Sequence, residues 1–329
     1  MAGNSFGTIF KITTFGESHG KLVGVIIDGC PANISLNEKD IQIDLDRRRP
    51  GQSKVTTSRQ EEDKAEIVSG VFEGKTTGMP ITVIVKNNDQ RSQDYDRLRD
   101  NFRPGHADKT YQEKYGHRDH RGGGRSSGRE TIGRVIASAV AKKILPNNLK
   151  IIGSTVQVGP HIVNEYKPET IEQNPMRCAD PKVTQDMINY VTELKKQNNS
   201  TGALIQIEIN NCPANLGEPV FDKLKADLAK AIMSIGAVTG FSYGAGFTTS
   251  QLTGQEYTKN PNNFGGMLGG ISTGEKISLS VSVKPTSTIG EAAKEGRHDP
   301  CIAPRIIPVI EAMIAITLAD HYLRNKIYQ

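Results

Sequence analysis

The segment Gly16-Glu17-Ser18-His19-Gly20 sets a carboxylate, a hydroxyl and an imidazole between two glycines. Flanking glycines let the backbone turn sharply. The side chains between them are therefore expected at a surface, where a histidine exchanges a proton near neutral pH. An ordinary polar turn has the same composition. The G-x-S-x-G pattern is met formally, but a nucleophile elbow needs a helix after its serine. An apolar strand-like run, Leu22 to Ile27, follows instead, so no serine nucleophile is expected.

A second group, Asp44-Leu45-Asp46-Arg47-Arg48-Arg49-Pro50-Gly51-Gln52-Ser53-Lys54, gathers basic residues at the end of an expected helix. They complement the negative end of the helix dipole. Beside a Pro-Gly turn they also form a clamp for phosphate or carboxylate. Both readings stand on the residues alone.

The richest stretch is Asn101-Phe102-Arg103-Pro104-Gly105-His106-Ala107-Asp108 followed by Gly116-His117-Arg118-Asp119-His120-Arg121-Gly122-Gly123-Gly124-Arg125-Ser126-Ser127-Gly128-Arg129-Glu130-Thr131. Ser127 and Glu130 have capping-box spacing, and free amides at a helix start among arginines make an anion site. No Gly-Lys-Ser/Thr follows the glycines, so this is not a Walker A loop. His106, Asp108, His117 and His120 also allow a metal site, though the surrounding arginines repel a cation. Further on come Lys284-Pro285-Thr286-Ser287-Thr288, Gly296-Arg297-His298-Asp299-Pro300-Cys301, and the pairs Gly265-Gly266 and Gly269-Gly270. In isolation these read as surface turns. Asp320-His321 interrupts a C-terminal apolar helix, where a carboxylate is costly unless paired or placed at a site.

The elements that must position these residues alternate between strands and helices. Strands are expected over Thr8 to Phe15, Leu22 to Ile27, Ala65 to Phe72, Pro80 to Val85 and Ile151 to Val158. Ser35 and Glu38 suggest a capping box for a helix from Leu36 to about Arg48. Lys86 to about Arg125 reads as irregular. Ile132, Val135, Ile136, Val140 and Ile144 mark the apolar face of a helix ended by Pro146. Asp186 to Lys196 also reads as helical. Val23 to Ser35 resembles Leu204 to Gly217: each is a strand, then Cys-Pro-Ala-Asn, then a helix. The second of those helices, from about Pro219 to Ile235, places Phe221, Leu224, Leu228 and Ile232 on one face. An internal duplication with pseudo-symmetric halves in one domain over residues 1–329 follows, in an α+β layered architecture.

Composition narrows the function. With 36% hydrophobic residues in 329, a sizeable core can be buried. The net charge of +5 fits an anionic small molecule as well as nucleic acid. Aromatics at 5% argue against a base-stacking surface; an RNA-binding reading of Arg121 to Arg129 has only that one run behind it. Cys30, Cys178, Cys212 and Cys301 form no C-x-x-C pair and suit a reducing compartment. The start MAGNSFGTIF lacks a secretory pattern, so a cytoplasmic location is expected. Ile306 to Ala319, with Pro308 and Glu311, reads as a buried helix rather than a membrane span. No G-x-G-x-x-G is present, so no dinucleotide-binding unit is expected.

Seven segments in order, GESHG, DLDRRRPGQSK, RPGHAD, HRDHRGGGRSSGRET, GGMLGGISTGE, VKPTST and GRHDPC, resemble the signatures of the chorismate synthase family from about Phe6 to Leu323. The resemblance implies a β-α-β sandwich with central helices between antiparallel sheets, assembled as a homotetramer. It implies 1,4-elimination of phosphate from 5-enolpyruvylshikimate 3-phosphate to give chorismate. Reduced FMN would be required without net redox change, reduced by an external source, with no nucleic-acid or membrane partner. Flavin contacts would be Arg125, Ser126, Ser127, Gly236, Ala237, Gly269, Lys284, Pro285, Thr286, Ser287, Thr288 and Arg297. Substrate anions would meet Arg48, Lys54, Arg103 and Arg129. His19 would serve the leaving phosphate, His106 would face the flavin, and Ser18 with Asp320 would form a proton relay; no metal is implied. The chain departs from the family pattern in two places. Only Ile289 to Glu295 separates the Lys-Pro-Thr-Ser and Gly-Arg-His-Asp-Pro segments, where relatives often carry a longer polar loop. Lys54 stands where arginine is common, keeping charge but losing bidentate geometry.

Overall fold

A computed structural model describes residues 3–51, 61–88, 101–290 and 299–328. Alternating burial along the strands, as in Ile81–Lys86 and Ile277–Val283, sets one face of each sheet against a core. The first sheet holds β1 (Ser5–Phe6), β2 (Lys11–Gly16), β3 (Leu22–Asp28), β4 (Ala65–Ser69) and β7 (Ile81–Lys86), in the order β1-β2-β3-β7-β4, with a small hairpin of β5 (Val71–Phe72) and β6 (Lys75–Thr76). The second holds β8 (Lys150–Val158), β9 (His161–Ile162), β10 (Ala203–Asn210), β11 (Val238–Tyr243) and β14 (Ile277–Val283), in the order β11-β14-β10-β8-β9, with a hairpin of β12 (Met267–Leu268) and β13 (Ile271–Ser272). Every strand pairing within the two sheets is antiparallel.

Helices accompany the sheets, the most buried of them at the core. They are α1 (Glu38–Arg48), α2 (Asp108–Tyr115), α3 (Thr131–Ile144), α4 (Pro181–Lys196), α5 (Leu224–Met233), α6 (Gly254–Lys259) and α7 (Ala303–Asn325). α3 packs on β2, β3 and α7, and α7 packs on β8, β10 and α5. From Thr131 to Ala141 nearly every α3 residue is buried, as expected of a helix enclosed on all sides. Gly133 permits the close approach of α3 to the sheet: a Cβ there would come within 3.0 Å of the Gly24 carbonyl. α7 is long and apolar enough to span a bilayer, but 94% of its most apolar stretch is buried inside the protein. Its carboxylate Glu311 is paired, taking Arg47 at 2.6 Å and the Gly153 amide at 2.9 Å. The fold matches the expected β-α-β sandwich.

The internal duplication extends beyond the repeated tetrapeptide. Asn33 and Asn215 both take positive φ, at 66° and 69°. The next amides, of Ile34 and Leu216, donate to the hydroxyls of Thr76 and Ser272 at 3.0 and 2.9 Å. Those hydroxyls donate back to the carbonyls of Pro31 and Pro213. The hairpins β5–β6 and β12–β13 thus play the same part in each half.

Several local boundaries differ from expectation. Asn37 with Asp40, not Ser35 with Glu38, forms the capping box of α1; the Asn37 carbonyl oxygen reaches two amides, and Ser35 lies in a bridge to Lys75. Asp180 caps α4 and moves its start upstream to Pro181. α5 begins at Leu224, leaving Phe221 90% exposed rather than on the helix's apolar face. Finally, the stretch expected to be irregular contains α2.

Candidate active site

Gly16, at φ +85°, ends β2 and starts the turn that carries Ser18 and His19. Both side chains are buried, Ser18 at 1% and His19 at 4% exposure, and not at a surface as the flanking glycines suggested. Ser18 Oγ lies 3.0 Å from His19 Nδ1. What covers them is the glycine run: Gly122, Gly123 and Gly124 all take positive φ. A Cβ on Gly122 would fall 2.0 Å from His19 Cε1, and one on Gly123 would fall 3.2 Å from His106 Cε1. Adjacent glycines therefore hold the two histidines against one loop, although 86 residues separate them in sequence.

His106 is fixed from its other side by Asp108, 2% exposed at the start of α2. His106 Nδ1 is 2.9 Å from Asp108 Oδ1, and Arg103 donates to both carboxylate oxygens at 2.8 and 2.9 Å. Burial alone raises a carboxyl pKa, but here the hydrogen bonds from His106 and Arg103 prevail and hold Asp108 well below the usual carboxylate range. Arg118 lies 4.0 Å away, with its guanidinium stacked over Phe102.

Arg48 and Arg129 are brought together by a carboxylate that sequence reasoning passed over. Arg48 Nη1 donates to Asp63 Oδ2 at 3.0 Å, and Arg129 Nη1 to Asp63 Oδ1 at 2.8 Å. Both arginines are buried. Burial first, then Arg305 and Arg129 nearby, push Arg48 down to about 10 against the pull of Asp63; it stays protonated at neutral pH. Glu61 sits 3.6 Å from Arg129 Nη2. Asn87 accepts from Arg129 Nε and donates to the carbonyls of Glu17 and Gly20 at 3.0 and 2.8 Å.

Ser127 and Glu130 do not form a capping box for α3. Ser127 caps a short 3-10 turn, Gly128–Glu130, while the Glu130 carboxylate accepts from Thr14 at 2.8 Å and Arg134 at 3.0 Å. Arg125 points back along β2, donating to the Thr14 hydroxyl at 2.7 Å and the Gly16 carbonyl at 3.2 Å. Ser126 Oγ bonds the Gly123 carbonyl. Lys284 Nζ and Ser287 Oγ both donate to the Gly105 carbonyl at 2.8 Å, so the Lys284-to-Thr288 segment clasps the turn that carries His106. Thr286 Oγ1 bonds the Asp299 carbonyl. The Lys284 amide donates to the carbonyl of Ala237, itself at φ +75°. Gly236 precedes it, and a Cβ there would meet nothing within 4 Å. Pro285 packs near Gly202, where a Cβ would lie 3.3 Å from its ring.

Two expected members stand apart. Gly269 neighbours Lys223 at the start of α5, roughly 15 Å of helix from Ala237 beyond its end. Asp320 accepts from the amides of Thr8, Ile9 and Phe10 at 2.7 to 3.1 Å and from Arg324 at 2.6 Å. It thus anchors the chain ahead of β2, whereas Ser18 lies past the other end of that strand, roughly 20 Å along it. Within one chain the two are not partners. Lys54, Arg297 and most of the short loop Ile289 to Glu295 lie outside the described residues. Asp63 and Asn87 were missed as site residues, and Asp108 was considered only as a metal ligand. Only the last carries a sequence signal, standing two residues from His106 in a turn.

The sequence profile of chorismate synthase matches residues 10–323. Curated chorismate synthases from Rippkaea orientalis and Cytophaga hutchinsonii are 49% and 51% identical, each alignment covering 98% of this chain and 98% of the relative. The 355 aligned positions with the first exceed the 329 residues here, so that relative carries residues this chain lacks. A crystal structure of chorismate synthase superposes with a TM-score of 0.79 at 30% identity, covering 97% of this chain and 93% of that one. The chain belongs to the chorismate synthase family, a family of lyases of the shikimate pathway.

Proposed function

We propose that the chain eliminates phosphate 1,4 from 5-enolpyruvylshikimate 3-phosphate, giving chorismate, with reduced FMN in the site and no net redox change. The observation that carries this reading is the glycine run whose neighbouring members abut His19 at Gly122 and His106 with Arg103 at Gly123, while Arg129 is tied through Asn87 to the His19 turn. The substrate has two carboxylates and a phosphate, and Arg48, Lys54, Arg103 and Arg129 are assigned to them. An anion reaching Arg48 or Arg129 competes with the Asp63 carboxylate that both now hold.

The donor set suits a flavin phosphate and ring. Lys284, the hydroxyls of Ser126, Ser127, Thr286, Ser287 and Thr288, and Arg125 with Arg297 supply cations and donors. Gly236 leaves open space beside Ala237. Gly269 is assigned to the flavin of a neighbouring copy in a homotetramer. When bound, the reduced flavin would supply an electron-rich ring that favours cleavage of the C–O bond. His19, with Nδ1 held by Ser18, is assigned as the proton donor to the departing phosphate. His106, oriented by Asp108, presents its other nitrogen to the flavin side. Flavin reduction is assigned to an external source, and the location to the cytoplasm.

An RNA-binding role for the arginine–glycine run is less favoured, because Arg125 and Arg129 turn inward to β2 and Asp63. The same holds for a metal-dependent hydrolase, since Asp108 is already shared by Arg103 and His106. An FMN titration read by flavin absorbance tests the cofactor assignment. Saturable binding that weakens in Lys284→Ala is expected; absence of saturable binding to the wild type contradicts it.

A further inference from the structure

Asn87 directly follows β7 and is buried at 8% exposure. Its amide uses three hydrogen bonds in one direction of logic. Nδ2 donates to the carbonyls of Glu17 and Gly20, the two ends of the turn that carries Ser18 and His19. Oδ1 accepts from Arg129 Nε. Its backbone amide also donates to the Lys21 carbonyl at 3.2 Å. Arg129 in turn holds Asp63 and the Lys86 carbonyl. A primary amide is the one side chain that offers two donors and an acceptor at this spot. A bare carboxylate would turn the donors into acceptors facing carbonyls.

We propose that Asn87 is a positioning residue that joins the anion-binding Arg129 to the His19 turn, so that filling the anion site and orienting the acid are one event. This rests on the substrate assignment of Arg129 and the acid assignment of His19. The charged groups around the turn are Glu17 itself, Arg125 on the Gly16 carbonyl, and Asp119 with Arg121 across the glycine run.

The test uses Asn87→Asp, which keeps an acceptor for Arg129 but sets a carboxylate oxygen against two carbonyls. Asn87→Ala, which removes the amide without adding charge, is the second variant. With seven histidines in the chain, 13C-labelled imidazole signals can be assigned to His19 by their loss in His19→Ala. The His19 titration midpoint is expected to move in both Asn87 variants. kcat is expected to fall about tenfold or more, with KM for the substrate held within about twofold in Asn87→Asp. In the His19→Ala background the same Asn87 changes should cost little further turnover. An unmoved His19 midpoint in both variants, or a full additional loss of turnover in the His19→Ala background, overturns the proposal. Near-normal turnover of His19→Ala would instead remove the acid assignment, while the midpoint still decides the role of Asn87.

Discussion

At the scale of single residues, two histidines carry the account. His19→Ala and His106→Ala should each lower turnover by roughly 10²–10⁴-fold, the range of a positioned acid or base, with the fold intact by circular dichroism. Loss of His106 should also alter the spectrum of bound reduced flavin, and His117→Ala should be mild. Near-normal turnover in both of the first two variants contradicts the assignment. Asp108 adds a pH prediction. Its folded-state pKa lies below its unfolded value of about 3.9. Its contribution to stability is therefore complete above about pH 4 and is lost as pH falls below that through the folded pKa. Thermal melts of Asp108→Asn against pH should show a flatter acid limb than wild type; parallel limbs would contradict it. The histidines were legible in sequence because glycines and proline flank them. Asp63 and Asn87 were not, because their meaning comes from partners 15 to 70 residues away in the chain.

At the scale of elements, the glycine run and the arginine pair make the sharpest claims. Gly122→Ala puts a methyl group 2.0 Å from the His19 ring at a φ of +67°, so it should abolish turnover and destabilise the protein. Gly128→Ala, with nothing within 4 Å and ordinary φ, is the control on the same loop and should melt close to wild type. The arginines bear on stability as well as binding. Truncating Arg129 or Arg48 leaves Asp63 short of a buried partner, an imbalance worth about 3–5 kcal/mol when a buried pair is broken. Arg129→Ala should therefore lower both the melting temperature and substrate affinity, and removing Asp63 as well, in Arg129→Ala/Asp63→Asn, should recover part of the stability but not the affinity. Melting and substrate titration of both variants check this. Helix periodicity placed α3 and the buried C-terminal helix correctly because apolar spacing reports burial directly. Caps were misplaced at Ser35 and Ser127, since Asn37 lies two residues closer to α1 and Glu130 is drawn to Thr14 and Arg134. Spacing alone does not reveal that competition.

At the scale of the whole molecule, the two halves repeat a strand order and a hairpin that hooks the Cys-Pro-Ala-Asn turn. The tetrapeptide made the duplication visible in sequence; the hairpins, built on a threonine in one half and a serine in the other, were hidden because only the hydroxyl is shared. The halves have diverged in use. The first carries the His19 turn, and the second supplies Ala237 and the Lys284 clasp. Exposed Phe221, Val220 and Leu268 near the start of α5 leave apolar surface suited to another copy. Sedimentation equilibrium at micromolar concentration should give a homotetramer; a stable monomer would contradict this and remove the assignment of Gly269 to a neighbour's flavin.

The central claim is tested most directly by anaerobic turnover of 5-enolpyruvylshikimate 3-phosphate with the purified chain, with and without reduced FMN, following phosphate, chorismate and flavin oxidation together. The account predicts equal amounts of phosphate and chorismate, many turnovers per flavin, and none without it. Stoichiometric flavin oxidation per chorismate formed, or turnover that is indifferent to reduced FMN, would contradict it.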